Sequence, residues 1–265
     1  MDKKLQAGEY FGFETKTHET PLFKFNITKY DNGAVIQNHH HENDYLSILL
    51  NGSYAEINSN ETHLIDKGSI IFRPADYNHK NSFAPGGGVC FNIEFKQNWK
   101  QLLDINSSLP GKLSLYPAGS FPSLYNSLRY FINNEDDCLF AEMLNWIAEI
   151  GKPQNISHTL PWVSKLKTIL ENETDIPHSL QYLAEKVYVH PVHLAAGFKR
   201  KTGFTIGEYR LKIKLQRSLS QLFNTSLSIN EIAIRSGFYD AAHFIRVFKM
   251  FYHTTPLKFR KTLNN

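Results

Sequence analysis

Ser179-Leu-Gln-Tyr-Leu-Ala184 and Ser228-Ile-Asn-Glu-Ile-Ala233 lie 49 positions apart and read as one helical opening written twice. Further in, Leu194, Phe198, Lys199 and Thr205 answer to Phe244, Phe248, Lys249 and Thr255, now 50 positions later. A slip of one residue inside the repeat is what an insertion between two matched helices produces. Two copies are too few for a solenoid, which needs about three to bury a continuous core. Two copies joined by one long helix instead present two equivalent contact surfaces a fixed distance apart.

The flanking residues set the helix boundaries. Thr205-x-x-Glu208 and Ser228-x-x-Glu231 fit capping boxes, so helices are expected to begin at Ile206 and Ile229. The first runs to about Phe223 and bridges the repeats. Other helices are expected at Trp162–Asn172 and Ser179–Val187. Pro191 and Pro256 suit first helical positions, where a missing N–H costs nothing, and Asp240 suits a cap. Each short helix with a small Ala (Ala184, Ala233) is followed by a turn and a helix anchored at i and i+4. That is helix-turn-helix geometry, in which the second helix enters a DNA major groove. Gly237 fits the tight corner of the second turn, and Tyr188 stands at the matching place in the first.

Charge points the same way. The chain holds 29 Lys and Arg against 25 Asp and Glu. From His178 onward there are 14 basic and four acidic residues (Glu185, Glu208, Glu231, Asp240), a net +10. The preceding 177 residues keep 15 basic and 21 acidic, a net −6. Such asymmetry favours a polyanion partner for the basic half, the alternative being a merely solvated basic face.

The first half reads differently. Tyr45–Leu50, Tyr54–Ile57, Ser69–Phe72 and Val89–Phe95 are short runs rich in β-branched and aromatic residues. Asp31-Asn-Gly33, Asn51-Gly52, Asp66-Lys-Gly68 and Pro85-Gly-Gly-Gly88 are the expected turns between strands. Many short strands argue for a sandwich or small barrel. Leu124, Leu128, Phe131 and Ile132, then Leu139, Met143, Leu144, Ile147 and Ile150, recur at helical spacing and either cap the barrel or pair with another subunit. Gly151–Pro161 reads as a linker. Cys90 and Cys138 have no metal-like spacing and are expected to be reduced and mostly buried. No signal peptide or run of roughly 18 apolar residues is present, so a soluble cytoplasmic protein is expected.

The stretch Ser179–Leu263 resembles the DNA-binding domain of the AraC/XylS family of bacterial transcription regulators. The match is carried by Ser228–Phe238, by His243-Phe-Ile-Arg-Val-Phe-Lys249 and by Thr255-Pro-Leu-Lys-Phe-Arg260, with Leu183-Ala184, Phe198–Gly203 and Tyr209 in the first repeat. The resemblance implies that outward residues near the start of each recognition helix read bases: Val192, Ala195 and Ala196 in the first, Ala241, Ala242, Ile245 and Arg246 in the second. Arg246 suits bidentate bonding to guanine, though a surface cation is the plainer alternative. His193, Lys199, Arg200, Lys201 and Lys249 suit packing or phosphate contacts. Gly197 stands where the family places a large apolar residue, which makes the first helix the weaker reader of sequence.

Asn38-His-His-His-Glu-Asn-Asp-Tyr45 and Pro74-Ala-Asp-Tyr-Asn-His79 resemble the two motifs of the cupin barrel, a common sensor domain of these regulators. His39, His41 and His79 match three of four cupin metal-ligand positions; Tyr45 and Leu46 stand where the Glu would fall. The resemblance implies an effector site at His39, His41, Tyr45, Arg73, Tyr77 and His79. Three imidazoles also suit zinc or a similar ion, so a metal-responsive regulator and a cupin-type metalloenzyme remain alternatives. The missing Glu and the lack of an acid–base pair speak for a regulator rather than an enzyme, with no cofactor expected.

The expected architecture is an α+β chain with an N-terminal cupin-like β-barrel and following helices, then an all-α domain of two helix-turn-helix units on a long helix. Expected boundaries are 1–98 (sensor barrel), 99–150 (capping or dimerisation helices), 151–161 (linker) and 162–265 (DNA-binding domain). Expected partners are double-stranded DNA, a small-molecule effector and a second copy in a homodimer, with no membrane.

Overall fold

A computed structural model describes residues 3–58, 61–103, 109–150, 160–174 and 176–264. The expected linker therefore lies almost wholly outside the described residues. The chain forms two compact units, one of residues 1–152 with 258–265, the other of residues 153–257. No helix among the described residues is long and apolar enough to cross a membrane.

The first unit is a curled sheet with helices on one face. Its strands are β1 Lys3–Leu5, β2 Phe13–Glu19, β3 Phe23–Tyr30, β4 Val35–His41, β5 Tyr45–Ile57, β6 Thr62–Ile65, β7 Ile70–Arg73, β8 His79–Phe95 and β9 Ser114–Tyr116. The main path runs β1-β4-β8-β5-β7-β9; β3 joins through β8 and carries β2, while β6 joins β5. Only the β1–β4 pair is parallel among these ladders.

Two expected turns are not turns. Asn51-Gly52 lies inside the 13-residue β5, and Pro85–Gly88 lies inside the 17-residue β8. These two strands pair along most of their length and bend together, with Gly52 opposite Gly88 and register shifts around Asn51 and Gly52. At Gly52 φ is +82°, and a Cβ there would lie 2.1 Å from the Gly87 carbonyl oxygen. Only glycine allows backbones so close in a left-handed conformation. Asp31–Gly33 and Asp66–Gly68 do connect strands.

Strand alternation gives the sheet two distinct faces. Phe91, Ile93 and Phe95 of β8 align with Ile27, Phe25 and Phe23 of β3 and with Ile48 and Leu46 of β5. A short helix, α1 (Trp99–Leu102), precedes β9, and this apolar face is covered by α2 (Pro122–Asn133) and α3 (Asp136–Ile150). Phe131 of α2 lies 5.2 Å from Phe91, and Trp146 of α3 lies 5.7 Å from Phe95, ring centre to ring centre. Each such buried ring contributes roughly 1.5–3 kcal/mol. Both helices thus pack on this face of the sheet. Cys138, near the start of α3, is exposed rather than buried, while Cys90 is buried.

The second unit holds α4 Pro161–Asn172, α5 Leu180–Val187, α6 Pro191–Thr202, α7 Ile206–Asn224, α8 Ile229–Arg235 and α9 Ala241–Tyr252; α10, Pro256–Asn264, follows. Both capping boxes are formed, with Thr205 and Ser228 accepting from Glu208 and Glu231 backbone amides and the two carboxylates bonding back. Val163, Leu166, Leu183, Leu194 and Phe198 form a core around the first repeat.

Candidate functional site

The two helix pairs close their turns identically. Val189 N–H donates to the Ala184 carbonyl at 3.0 Å, and Phe238 N–H donates to the Ala233 carbonyl at 2.9 Å. Up to this bond the repeats differ by 49 positions. His190 and Asp240, the caps of α6 and α9, differ by 50. The slip is therefore one residue, Tyr239, inserted between Phe238 and Asp240 and 88% exposed. α6 and α9 then run in register to their left-handed ends at Gly203 and His253.

On α6, Val192, His193, Ala195, Ala196, Lys199 and Arg200 are exposed, and Lys201 is half-buried; Leu194, Gly197 and Phe198 face inward. On α9, Ala242, Arg246 and Lys249 are exposed, and Ala241 and Ile245 are half-buried over Phe244, Val247 and Phe248. The expected reading residues thus share an outward face on each helix. At about 1.5 Å rise per residue, the 19-residue α7 spans roughly 28 Å, somewhat less than the 34 Å or so of one duplex turn.

Three cations of α7 have a different employment that sequence reading did not show. Arg210 donates to the Ile176 carbonyl and Arg217 to the Glu171 carbonyl, tying α7 to the last turn of α4 and to the α4–α5 connection. Lys214 donates to the Gly237 carbonyl and holds the corner of the second turn. Gly197, which departs from the family pattern, is covered by Trp162 of α4: a Cβ at Gly197 would lie 3.0 Å from Cζ2 of that ring.

In the first unit, the face opposite the helices carries the other candidate residues. Tyr45 and Ser47 of β5 align with Glu94 and Asn92 of β8, and Tyr45 also aligns with Arg73 of β7. His39, His41 and His79 converge there: all are buried, and one nitrogen of each lies within 4.8 Å of the others. Nδ1 of His39 donates to the Gln37 carbonyl at 2.8 Å, and Nδ1 of His79 donates to the Tyr77 carbonyl at 3.0 Å. These bonds fix the tautomers and turn both Nε2 atoms inward. Nε2 of His79 accepts from the Tyr45 hydroxyl at 3.0 Å.

Burial holds all three imidazoles below their ordinary pKa, His41 at about 2, because the charged form is poorly solvated there. The Arg73 guanidinium nearby, and the other imidazoles, push the same way. They are neutral at physiological pH. The Tyr45 hydroxyl is raised by the same loss of solvent.

Arg73 does point inward, but its donors are engaged. It forms a buried bidentate pair with Glu56 (2.8 and 2.6 Å) and donates to Tyr54 Oη at 2.8 Å and Ser47 Oγ at 3.2 Å. Glu56 also accepts from Asn81 at 2.7 Å. Sequence reading missed Glu56, although its alternation with Tyr54 in a strand placed both on one face. Tyr77 is half-exposed, stacks on His79 at 5.4 Å and accepts from Asn58 Nδ2.

Within these walls lies a cavity of about 20 Å³, bounded by Tyr45, Arg73, Asn92, His39 and His41. Its other end is apolar, with Ile36, Phe83 and Cys90, which belong to one buried cluster with Leu49 and Ile71. Tyr10 and Phe11 complete the wall from the N-terminal segment, their rings 5.4 Å from His41 and 5.0 Å from His39. Glu94 anchors that segment, accepting from Gly8 N–H at 2.9 Å and Tyr10 Oη at 3.1 Å.

Comparison with known proteins bears on this arrangement. Residues 183–262 match the family described as "Helix-turn-helix domain". The HTH-type transcriptional activator RhaS of Mannheimia succiniciproducens is 26% identical over 276 residues, covering 98% of this chain and 100% of that protein. The solved structure of unsaturated fatty acid bound ToxT from Vibrio cholerae, 13% identical, superposes with a TM-score of 0.40 over 92% of this chain and 97% of that one. The chain spans only 39% of the Msm operon regulatory protein of Streptococcus mutans, with 32% identity over 109 residues. The probable transcription factor PqrA of Proteus vulgaris is 35% identical over 106 residues, 40% of this chain and 83% of that protein. With a relative of that identity matched over most of its length, and two helix-turn-helix pairs in the matching region, the chain belongs to the AraC/XylS family of DNA-binding transcriptional regulators.

Proposed function

We propose that this regulator is switched by a small molecule held on the polar inner face of the curled sheet, while α6 and α9 enter successive major grooves of its DNA site. The observation that carries the reading is the inner face itself. A sheet built only for stability would bury apolar side chains there; this one buries neutral imidazoles, Tyr45, Ser47 and Asn92 around a cavity. Such groups suit hydrogen bonds to an uncharged or weakly polar effector, since the charge of Arg73 is already matched by Glu56. A cavity of about 20 Å³ admits one water-sized group, so an organic effector displaces part of the wall. Tyr10 and Phe11, which lie outside the strands, are the wall residues whose displacement leaves the sheet ladders intact. Effector binding then alters the preference of the chain, or of a homodimer of it, between two arrangements.

The test is a thermal-shift screen of metabolites on the full-length protein, repeated with Tyr45→Phe and His79→Gln. An effector that stabilises the wild type and neither variant, and that changes DNA affinity, is the expected result. One that stabilises all three equally places the site elsewhere. On the DNA side, Arg246→Ala is expected to cost about 1–3 kcal/mol at one base pair of a selected site. Equal losses on selected and random DNA at fixed salt would show a phosphate contact instead.

A second reading is favoured by the three converging imidazoles: the effector is a divalent ion such as zinc, held by His39, His41 and His79. Metal analysis of the purified protein, with and without the His39→Gln, His41→Gln and His79→Gln substitutions together, separates the two.

A further inference from the structure

Gly197 is buried in the middle of α6, where glycine favours a helix less than alanine does. The equivalent position of α9, 50 residues on, is Val247, whose own side chain fills the interior. In the first repeat the filling atoms come from outside the helix pair. Trp162, the second residue of α4, lays its ring over Gly197 so that a Cβ there would meet Cζ2 at 3.0 Å and Cη2 at 3.2 Å. The same indole packs on the cluster of Leu166, Leu194 and Phe198. A larger residue at 197 and the indole of Trp162 cannot share the space.

We propose that Trp162 is a positioning residue for DNA reading: its indole, seated on Gly197, sets the angle at which α6 presents Val192, Ala195, Ala196 and Lys199 to DNA. The second recognition helix carries its own wedge, whereas the first borrows one from α4. This inference rests on the reading that α6 enters DNA. A ring seated on the inward face of a helix limits its rotation, and a change of about 1 Å at the base edges removes hydrogen bonds and methyl contacts alike. The borrowed wedge also explains why a glycine persists at a helical position where it is intrinsically unfavourable.

The experiment uses full-length protein and a duplex that the wild type selects from a random-sequence pool, footprinted by hydroxyl radicals at fixed salt. Arg246→Ala marks the segment read by α9; the other segment belongs to α6. Trp162→Ala is expected to weaken binding about tenfold, equivalent to roughly 1.4 kcal/mol, with protection lost only in the α6 segment. Gly197→Leu alone, which drives the indole out, is expected to lose the same segment. The two substitutions together move the missing volume from α4 to α6, as Val247 does in α9. The double variant is expected to protect the α6 segment better than either single one, a rescue that general destabilisation does not produce. If Trp162→Ala fails to fold, the double variant against Gly197→Leu still decides. Losses that simply add, or full protection in Trp162→Ala, overturn the proposal. If changing Lys199, Arg200 and Lys201 to Gln leaves that segment untouched, the reading of α6 as a DNA helix falls first, whatever Trp162 does.

Discussion

Tyr188 and Gly237 stand 49 positions apart and hold the same left-handed corner, with φ of 58° and 82°. Each ends the first helix of its pair, and each is followed by a residue whose N–H returns to the buried alanine of that helix. Glycine takes this conformation freely, while a residue with a Cβ gives up about 1–2 kcal/mol. Tyr188 recovers a fraction through Lys165, whose ammonium lies 5.1 Å from the ring, but the ring is 90% exposed. Tyr188→Gly is therefore expected to stabilise the second unit by about 0.5–1 kcal/mol, and Gly237→Ala to destabilise it by about 1–2 kcal/mol. Urea midpoints of the two variants check this. A Tyr188→Gly variant that unfolds more easily than wild type would mean the ring contributes more than the corner costs.

The Arg73–Glu56 pair predicts that a second substitution rescues the first. Both side chains are buried and bonded at two points. Arg73→Met strands a carboxylate in the interior and is expected to cost about 3–5 kcal/mol. Arg73→Met with Glu56→Leu removes both charges and is expected to recover most of that loss, although Tyr54 and Asn81 then lose a partner. Denaturant unfolding of the wild type, each single variant and the double variant measures the coupling. Additive losses would show that the pair is not the unit of stability.

Acid sensitivity follows from the three imidazoles. Their folded pKa values lie below that of an unfolded histidine, His41 at about 2. The unfolded chain therefore binds more protons than the native one below about pH 6.5, and stability rises with pH there. The stabilisation is fully present above about pH 6.5 and is lost as pH falls towards the folded values. The limit for three protons is about 4 kcal/mol per pH unit. Protonation would also abolish the acceptor that His79 offers Tyr45. Fluorescence of Trp99 and Trp146, both in the first unit's core, is expected to report a midpoint that drops between pH 7 and 5. His41→Gln should flatten that dependence, and a wild-type midpoint constant over this range would contradict the assignment.

What could be read in the sequence was what local chemistry decides. Thr205 with Glu208, Ser228 with Glu231, Asp240 and Pro191 mark helix starts because their partners lie within a turn of them. His39, His41 and His79 were legible as a cluster because two sit on one face of a strand and the third carries a matching motif. Partners far along the chain were not legible. Nothing near Arg73 announces Glu56, 17 positions back, and nothing near Gly197 announces Trp162, 35 positions back. Asn51-Gly52 was misread for the same reason: the residues that favour a hairpin turn also permit a bend, and only the approach of β8 decides between them.

That bend yields the sharpest contrast in stability. A methyl group at Gly52 meets a double penalty: the left-handed φ of +82° and an oxygen of Gly87 at 2.1 Å, a backbone atom that no rotamer can move. At Gly33, in the β3–β4 turn, φ is +63° and nothing lies within 4 Å. Gly33→Ala therefore isolates the conformational cost, about 1 kcal/mol. Gly52→Ala adds the collision and is expected to lose more than about 3 kcal/mol, because relief requires separating β5 from β8 where they bend together. The consequence reaches the cavity, since Tyr45, Ser47, Tyr54 and Glu56 lie on either side of the bend in β5. Urea unfolding of the two variants, followed by near-ultraviolet circular dichroism, compares them directly. Equal midpoints would mean that the strands part at Gly52 without cost, and that the curl of the sheet is set elsewhere.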